Sequence, residues 1–216
     1  ANIILLPELF ENLYFPQAER EKFFALAHAV DRHPFIPQFQ ALAKELNVVL
    51  PLSFFEEAGH AHDSSLAMVG SGGEVLGIYR KSHIPDGPGY EEKYYFSPGD
   101  TGFKAFATKS GTLGAAICWE NQMPLFRMAM YAKGVQIWCA PTVDEREVWG
   151  ASMRHIAQEG RCFVISASQV QGSPRSLGVD AAGWDPDRPL MRGGSMIVGP
   201  YGDVLAGPLL NEAGLV

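Results

Sequence analysis

The sequence has few basic residues and few cysteines, and it has no long apolar run. Seventeen lysines and arginines stand against 24 acidic residues, which gives a net charge of −7 and a pI of about 5.3. Binding to nucleic acid or to an anionic lipid surface is therefore not expected, because both need clustered positive charge. No apolar segment reaches the roughly 18 residues that span a bilayer, and the first residues lack the flanks of a signal peptide. These absences predict a soluble, cytoplasmic protein.

The three cysteines are too few, and odd in number, for a disulfide framework. Cys139 and Cys162 lie inside apolar, strand-like runs, where a cysteine is usually a buried small hydrophobe. Cys118 instead ends the apolar run 113–118 and precedes a turn and a helix that begins near Pro124. A thiol at such a corner lies near helix N-terminal amides, which favour the thiolate. Cys118 is therefore the candidate nucleophile, with a buried core residue as the alternative interpretation.

Short apolar runs alternate with longer segments of helical period, a pattern typical of an α/β fold. The predicted strands are 3–6, 48–52, 65–69, 75–79, 103–107, 113–118, 135–140, 162–167, 195–198 and 204–206. The predicted helices are 18–30, 34–46, 124–133 and 145–159. There is no internal repeat, low-complexity segment or linker. The mixture of hairpins and βα units predicts one domain over 1–216, built from two packed sheets covered by helices.

The histidines are poor candidates for the base that a cysteine nucleophile needs. Of the six, His83 alone lies beside a predicted site loop. His60 and His62 could bind a metal ion, but they lie in a polar turn with no third ligand nearby, so no metal is expected. The glycines of segment 70–77 lie between two strands rather than between a strand and a helix, so a dinucleotide cofactor is not expected either.

Two charged residues at strand ends offer an alternative to histidine. Glu8 follows Pro7 at the end of the first predicted strand, where α/β sheets place functional groups. Lys81 ends another strand. With Cys118 they supply a base, a cation for an oxyanion and a nucleophile. Each of these residue types alone is more often a surface charge or a core side chain. The hypothesis of a catalytic site therefore depends on all three residues together.

Three short motifs carry a resemblance to a known family. In the family's order they are Leu6-Pro7-Glu8-Leu9-Phe10, Tyr79-Arg80-Lys81-Ser82-His83 and Ile117-Cys118-Trp119-Glu120. With these motifs, the chain resembles the nitrilase superfamily of carbon–nitrogen hydrolases over essentially its whole length. The resemblance implies an α/β fold of the four-layer αββα sandwich type. It also implies self-association into a homo-oligomer, a dimer or larger.

The resemblance further implies roles for individual residues. Glu8 would be the general base, Lys81 the stabiliser of the oxyanion and Cys118 the nucleophile. Glu92 matches a second glutamate that positions substrate in many members of the family. The backbone N–H of Trp119 would also face the oxyanion. The candidate substrate contacts are Trp119, Tyr14, Asp86 and Thr142.

The two halves of the chain resemble different branches of the family. The first half is similar to N-carbamoylputrescine amidases, above all in the acidic loop 85–95 that would border the substrate. From Cys118 onward the chain is similar to true nitrilases, and Glu120-Asn121 stand where the amidase branch has Asp-Gln. The loop suits a cationic amine tail with Asp86 as a contact, and a solvated acidic loop is the alternative interpretation.

The expected function is hydrolysis of a small amide or ureido compound, with release of ammonia through a cysteine acyl-enzyme. The alternative is a nitrilase that converts a nitrile to a carboxylic acid and ammonia. A third interpretation, from another functional class, is an inactive scaffold or interaction protein. It arises because members of the family are longer, so the chain is expected to lack their first βα unit and C-terminal segment.

Overall fold

The computed structural model describes residues 1–180 and 183–216, which form two β-sheets with flanking helices. The strands are β1 (Leu50–Ala58), β2 (Ala61–Val69), β3 (Val75–Arg80), β4 (Ala105–Thr108), β5 (Gly111–Ala115), β6 (Ile137–Thr142), β7 (Phe163–Ser168), β8 (Val170–Gln171), β9 (Met191–Val198) and β10 (Val204–Leu210). The α-helices are α1 (Ile36–Leu46), α2 (Glu92–Tyr95), α3 (Pro124–Ala132), α4 (Glu147–Gly160) and α5 (Pro174–Leu177). Short 3₁₀ helices cover Phe15–Gln17, Glu21–Leu26, Val30–Arg32 and Cys118–Gln122.

The strands belong to two sheets of different character. The first sheet is antiparallel, with the order β1-β2-β3, and β2 and β3 form the hairpin that the sequence predicts. The second sheet has the order β10-β9-β7-β6-β5-β4, with β8 beside β9. Its centre, β5-β6-β7, is parallel, and its outer pairs are antiparallel. The parallel strands are joined through α3 and α4, because parallel neighbours need a crossover.

The two sheets pack face to face. Phe55 and Leu66 of the first sheet share one buried cluster with Leu113 of the second. Gly77 of β3 lies so close to Phe106 of β4 that a Cβ added to the glycine would be 3.0 Å from the ring. A side chain at position 77 would therefore crowd the Phe106 ring, which packs between the sheets.

The outer face of the first sheet is covered by α1. Because side chains alternate along a strand, Leu50, Leu52 and Phe54 of β1 point away from the inter-sheet core. They form a second buried cluster with Ile36 and Ala43 of α1. The helix ends at Asn47, whose left-handed backbone is a common helix C-cap conformation.

The outer face of the second sheet is covered by α3 and α4. A Cβ added to Gly114 of β5 would lie 2.7 Å from the Met130 methyl group of α3. Trp149 of α4 donates its indole N–H to the Ser166 hydroxyl of β7 at 2.9 Å. The layers therefore follow the order helix, sheet, sheet, helix, which confirms the expected αββα sandwich.

Two of the predicted elements are wrong. The segment 18–30 is not one helix, because its apolar side chains pack in different directions along an irregular chain; Phe23 and Phe24, for example, contact different aromatic rings. The predicted strand 3–6 is reduced to one parallel bridge between Ile3 and Val49. Both segments contain apolar residues at the predicted spacing. These residues pack against other parts of the protein without forming a regular helix or strand.

Within the described ranges, no helix combines the length and apolar character needed to cross a bilayer.

Burial between the sheets predicts that two leucine-to-alanine substitutions affect stability differently. Leu66 is fully buried between the sheets, whereas Leu125 on α3 is 83% exposed. Leu66→Ala should lower the free energy of unfolding by about 2–5 kcal/mol, because it leaves a cavity. Leu125→Ala should change it by less than about 0.5 kcal/mol. Urea unfolding followed by circular dichroism measures both, and equal effects would contradict the packing described above.

Candidate active site

Cys118 lies at a strained corner directly after β5. The sheet pairing extends to Ala116, whose N–H donates to the carbonyl of Cys139 at 3.0 Å, and the chain then turns into the 3₁₀ helix Cys118–Gln122. Cys118 has a φ of 49°, a left-handed conformation that costs a residue with a side chain about 1–3 kcal/mol. Asn121 holds the corner, because its side-chain amide donates to the carbonyls of Ala116 and Cys118 at 2.9 and 2.7 Å. The predicted strand-to-helix corner is therefore present, with a 3₁₀ turn before α3.

Glu8, Lys81 and Glu92 form a buried chain of charges. The Lys81 ammonium donates to Glu8 Oε1 at 2.8 Å and to Glu92 Oε2 at 2.6 Å, and all three side chains are fully buried. The other oxygen of Glu92 accepts a hydrogen bond from the Tyr14 hydroxyl at 2.7 Å. A buried charge is tolerated when it is paired with an opposite charge and hydrogen-bonded. Lys81 and Glu92 meet both conditions.

Glu8 has one oxygen that Lys81 does not occupy. Glu8 Oε2 is buried and has no hydrogen-bond partner of normal distance and angle in the described structure. The Cys118 thiol is nevertheless near enough, as a hydrogen-bond donor, to lower the pKa of Glu8. The backbone of Glu8 is fixed by Gln169, whose side-chain amide donates to the carbonyls of Glu8 and Leu9 at 2.8 and 3.2 Å. Glu8 thus has one oxygen that Lys81 does not occupy, and its carboxyl group lies near the thiol.

The electrostatics of the site follow from burial. Burial raises the pKa of Glu8 to about 7, although Lys81 opposes this shift. Burial lowers the pKa of Lys81, but attraction to Glu8 and Glu92 outweighs it, so the pKa stays above its ordinary value. Burial and the charge of Glu8 raise the pKa of Cys118, while Lys81 and a hydrogen bond from Thr142 lower it. The resting site therefore holds a thiol, an ammonium and a carboxyl group that can accept a proton near neutral pH.

Cys118 opens into a cavity of about 440 Å³, which is large enough for a small organic molecule. Trp119 and Asp86 line the cavity together with Asp144 and Arg146. Asp144 accepts hydrogen bonds from the Arg146 guanidinium at 2.6 and 2.9 Å, so these two charges offset each other. A groove of about 490 Å³ on another part of the surface contains none of the charged groups described above.

The structure brings most of the predicted site residues together. Glu8, Lys81, Glu92 and Cys118 meet at one place, and Asp86 and Trp119 line the cavity, as described above. Tyr14 and Thr142 are almost fully buried, and they contact Glu92 and Cys118 respectively. No three His, Cys, Asp or Glu side chains form a metal-binding group among residues 1–180 and 183–216.

Two of the histidines, His33 and His62, contribute to the packing of the protein. His33 is buried against Glu11, with its Nε2 3.1 Å from a carboxylate oxygen. Its Nδ1 accepts hydrogen bonds from the backbone N–H groups of Phe35 and Ile36 at the start of α1. His62 packs its ring against Phe24 instead of lying in an exposed turn.

Sequence reasoning missed several residues that shape the site. Glu120 and Asn121 lie two and three positions after Cys118, yet the sequence predicted no role for either residue in the site. Gln169 lies 161 positions from Glu8, and no local pattern marks it. The signal for Glu120 was available, since an acidic residue two positions after a strand-end cysteine is unusual in an apolar setting and needs hydrogen-bond donors when buried.

A family model matches the whole chain. The model described as "Carbon-nitrogen hydrolase" covers residues 1–216. An N-carbamoylputrescine amidase from Arabidopsis thaliana is 44% identical over an alignment of 216 positions, which covers 95% of this chain and 71% of the relative. A citrullinase from Francisella tularensis is 47% identical over 179 residues, with 78% and 63% coverage. A bifunctional nitrilase/nitrile hydratase from Lupinus angustifolius is 40% identical over 198 residues, with 85% and 54% coverage.

Solved structures have the same fold. A carbon-nitrogen hydrolase from Helicobacter pylori G27 superimposes with a TM-score of 0.84 at 31% identity, and the match covers 98% of this chain and 75% of that one. The chain thus spans between about half and about three quarters of the length of the proteins it matches.

The position of Glu8 predicts the pH dependence of Cys118 alkylation. Below the pKa of Glu8, about 7, the carboxyl group is protonated and cannot accept the thiol proton. The rate of reaction with iodoacetamide should rise about tenfold per pH unit below that point and level off above it. Mass spectrometry of the Cys118 peptide measures the rate. In Glu8→Gln the rise near pH 7 should disappear, and its persistence would contradict the role of Glu8 as proton acceptor.

Proposed function

The chain belongs to the carbon–nitrogen hydrolase family, and from that membership we propose that it hydrolyses a small amide or ureido compound and releases ammonia. The observation that carries the proposal is the buried Glu8–Lys81–Glu92 chain beside the Cys118 thiol, at a cavity of small-molecule size. Such a constellation provides a nucleophile, a base and a fixed cation. Two of the relatives are named for the hydrolysis of ureido compounds, which favours this substrate class.

In the proposed first step, Glu8 takes the proton of the Cys118 thiol through its free oxygen. The sulfur then adds to the substrate carbonyl carbon, and the carbonyl oxygen becomes negatively charged. The Lys81 ammonium and the backbone N–H of Trp119 stabilise this oxygen. Fixed donors in a dry site contribute the largest single term in acyl transfer, because they need no reorganisation as the charge develops.

In the next steps Glu8 acts first as an acid and then again as a base. It returns its proton to the leaving nitrogen, the carbon–nitrogen bond breaks, and ammonia departs. An amide leaves a thioester on Cys118, and a ureido compound leaves a thiocarbamate. Glu8 then takes a proton from water, the hydroxyl adds to the carbonyl carbon, and the sulfur leaves and regains its proton. A pKa near 7 suits a group that must both accept and donate a proton.

Glu92 is proposed to position the reacting groups rather than to transfer protons. Its two oxygens are occupied by the Lys81 ammonium and the Tyr14 hydroxyl. The ammonium is thereby held from both sides, by Glu8 and Glu92, and cannot turn away from the cavity. Tyr14 is proposed to support Glu92, and Thr142 to support the Cys118 sulfur.

For the distal part of the substrate we propose a contact with Asp86. This residue is exposed, lines the cavity and belongs to the acidic loop 85–95. The neighbouring Asp144 is already paired with Arg146, so Asp86 is the acidic group at the cavity that remains for a cationic amine tail.

Nitrile hydrolysis is the second candidate function. It is favoured by the 40% identity to a bifunctional nitrilase/nitrile hydratase and by the sequence that follows Cys118. The same thiol would add to the nitrile carbon and give a thioimidate, which water converts to an acid and ammonia. The geometry of Glu8 and Lys81 serves both reactions.

We also propose that the protein is cytoplasmic and associates with copies of itself. Met128 on α3 and Val148 on α4 are exposed apolar side chains, which supports a contact through these helices. Light scattering coupled to size-exclusion chromatography tests the association, and a monomer at micromolar concentration would contradict it.

Removal of the Cys118 thiol tests the proposed function. Ammonia release should be measured from N-carbamoylputrescine, citrulline and a panel of nitriles. Cys118→Ala should lower turnover by at least about 10⁴-fold, because no other group can form the acyl-enzyme. The matched control is Cys162→Ala, which removes another buried thiol that lies outside the site and should keep turnover within about threefold.

Each outcome of this assay has a clear consequence. Turnover of an amide or ureido compound supports the proposal. Turnover of nitriles alone would overturn the proposed substrate class in favour of the second candidate. Absence of turnover with every compound would contradict the enzymatic function of this chain and favour a scaffold or interaction role.

The role of Glu92 can be tested separately. Glu92→Gln keeps the shape of the side chain but removes the charge that holds Lys81, so kcat should fall about 10²-fold through loss of orientation. Glu91→Gln is the matched control, since the Glu91 side chain does not bond to Lys81 in the described structure. Steady-state kinetics measure both variants, and circular dichroism should show both folded. Equal kcat values in the two variants would contradict the positioning role.

A further inference from the structure

Glu120 is a fully buried carboxylate behind the cavity, in the third position of the 3₁₀ helix that begins at Cys118. It does not line the cavity that Cys118 opens into. In the described residues no Lys, Arg or His nitrogen lies within ion-pair distance of it. A buried carboxylate destabilises the folded state unless hydrogen bonds replace the water that it loses. The presence of Glu120 at this position therefore needs an explanation.

Four hydrogen-bond donors surround Glu120. Oε1 accepts from the Tyr79 hydroxyl at 2.5 Å, the Ser82 backbone N–H at 2.7 Å and the Ser82 hydroxyl at 3.0 Å. Oε2 accepts from the Ile117 backbone N–H at 2.8 Å. Burial raises the pKa of Glu120, and the bonds from Tyr79, Ile117 and Ser82 oppose that shift. Because all four partners donate, the surroundings are built for a carboxylate that only accepts.

These donors come from the two segments that carry the reacting groups. Tyr79 and Ser82 flank Lys81 at the end of β3, whereas Ile117 directly precedes Cys118. No covalent or sheet pairing joins these segments, since β3 belongs to the first sheet and β5 to the second. Glu120 therefore links the two sheets at the point where the ammonium and the thiol must meet.

We propose that Glu120 is a positioning residue that fixes the separation of the Lys81 ammonium from the Cys118 sulfur by bonding the end of β3 to the corner before the nucleophile. This inference rests on the proposed function, because it assigns a part of that reaction's geometry to a residue outside the cavity. Glu120 also stabilises the left-handed conformation of Cys118, since its bond to Ile117 closes the turn in which that conformation occurs.

Glu120→Gln is the sharpest test, because it changes one atom and keeps the shape. Whichever way the amide turns, its NH₂ group faces a backbone N–H, that of Ser82 or that of Ile117, and a backbone N–H can only donate. One of the two segments must therefore move away. Because a displacement of about 1 Å costs roughly 10²-fold, kcat should fall by about that factor while KM changes less than about threefold.

The matched control is Glu56→Gln. Glu56 is also a buried, multiply bonded carboxylate, which accepts from the Ser65 hydroxyl at 2.6 Å and from Arg80 at 2.7 and 2.8 Å. Glu56 thus holds the same end of β3, through Arg80, but it does not bond to the Cys118 segment in the described structure. Glu56→Gln therefore removes a contact of β3 without removing the link between the two segments. If Glu120 acted only through stability, the two variants should lose activity in proportion to their loss of stability. The positioning role instead predicts that Glu56→Gln keeps kcat within about threefold.

A second readout does not depend on turnover. The rate at which iodoacetamide modifies Cys118 at mildly alkaline pH should fall about tenfold in Glu120→Gln, because the thiol moves away from Glu8 and Lys81. It should not change in Glu56→Gln. If the parent chain released no ammonia from any compound, the proposed function would fail, while this comparison would still decide the role of Glu120.

Tyr79→Phe keeps the proposal testable if Glu120→Gln does not fold. It removes one donor and leaves the ring in place, so kcat and the alkylation rate should each fall about fivefold with KM unchanged. Equal losses in Glu120→Gln and Glu56→Gln would overturn the positioning role. Unchanged kcat and alkylation rate in Glu120→Gln would overturn it as well. If Glu120→Gln does not fold, the same result in Tyr79→Phe would overturn it.

Discussion

The structure depends on one buried ammonium that is shared by two carboxylates. Lys81, Glu8 and Glu92 are all removed from solvent, and each would be costly alone, because the effective penalty for burying an ion is several kcal/mol. Pairing offsets that penalty only when the three groups sit at hydrogen-bond distance, as they do. The strand end that carries Lys81, the turn that carries Glu8 and the short helix that carries Glu92 must therefore be held firmly. Much of the surrounding polar structure meets this requirement.

The residues that hold the charges come from distant parts of the chain and act mainly through backbone groups. Gln169 bonds the carbonyls of the Glu8 turn, and Asn121 bonds those of the Cys118 corner. Glu120 bonds backbone N–H groups on both sheets. A fold with two sheets face to face suits such a site, because strand ends from both sheets meet at one edge. The core between the sheets buries the charged side chains at that edge, which strengthens each electrostatic interaction.

Much of the fold and of the site could be predicted from the sequence, and the failures have physical causes. The β2–β3 hairpin and the βα units were predictable because alternation and helical period leave local signals. The segment 18–30 was not, because its apolar spacing fits a helix equally well until the packing of Phe23 and Phe24 is known. Glu8, Lys81 and Cys118 were found through their motifs. Glu120 and Gln169 were not assigned, since their partners lie in other parts of the chain.

The sequence by itself determined the class of fold, the kinds of chemical groups available and the three motifs that point to a carbon–nitrogen hydrolase. These properties are local, because they depend on composition, on periodicity and on short runs of neighbouring residues. Only the tertiary structure decided that Lys81 contacts both carboxylates, that one oxygen of Glu8 has no hydrogen-bond partner among the described residues, and that burial raises the pKa of Glu8 to about 7. Those properties arise from desolvation and from distances between residues far apart in the chain, which only the packing of the two sheets sets.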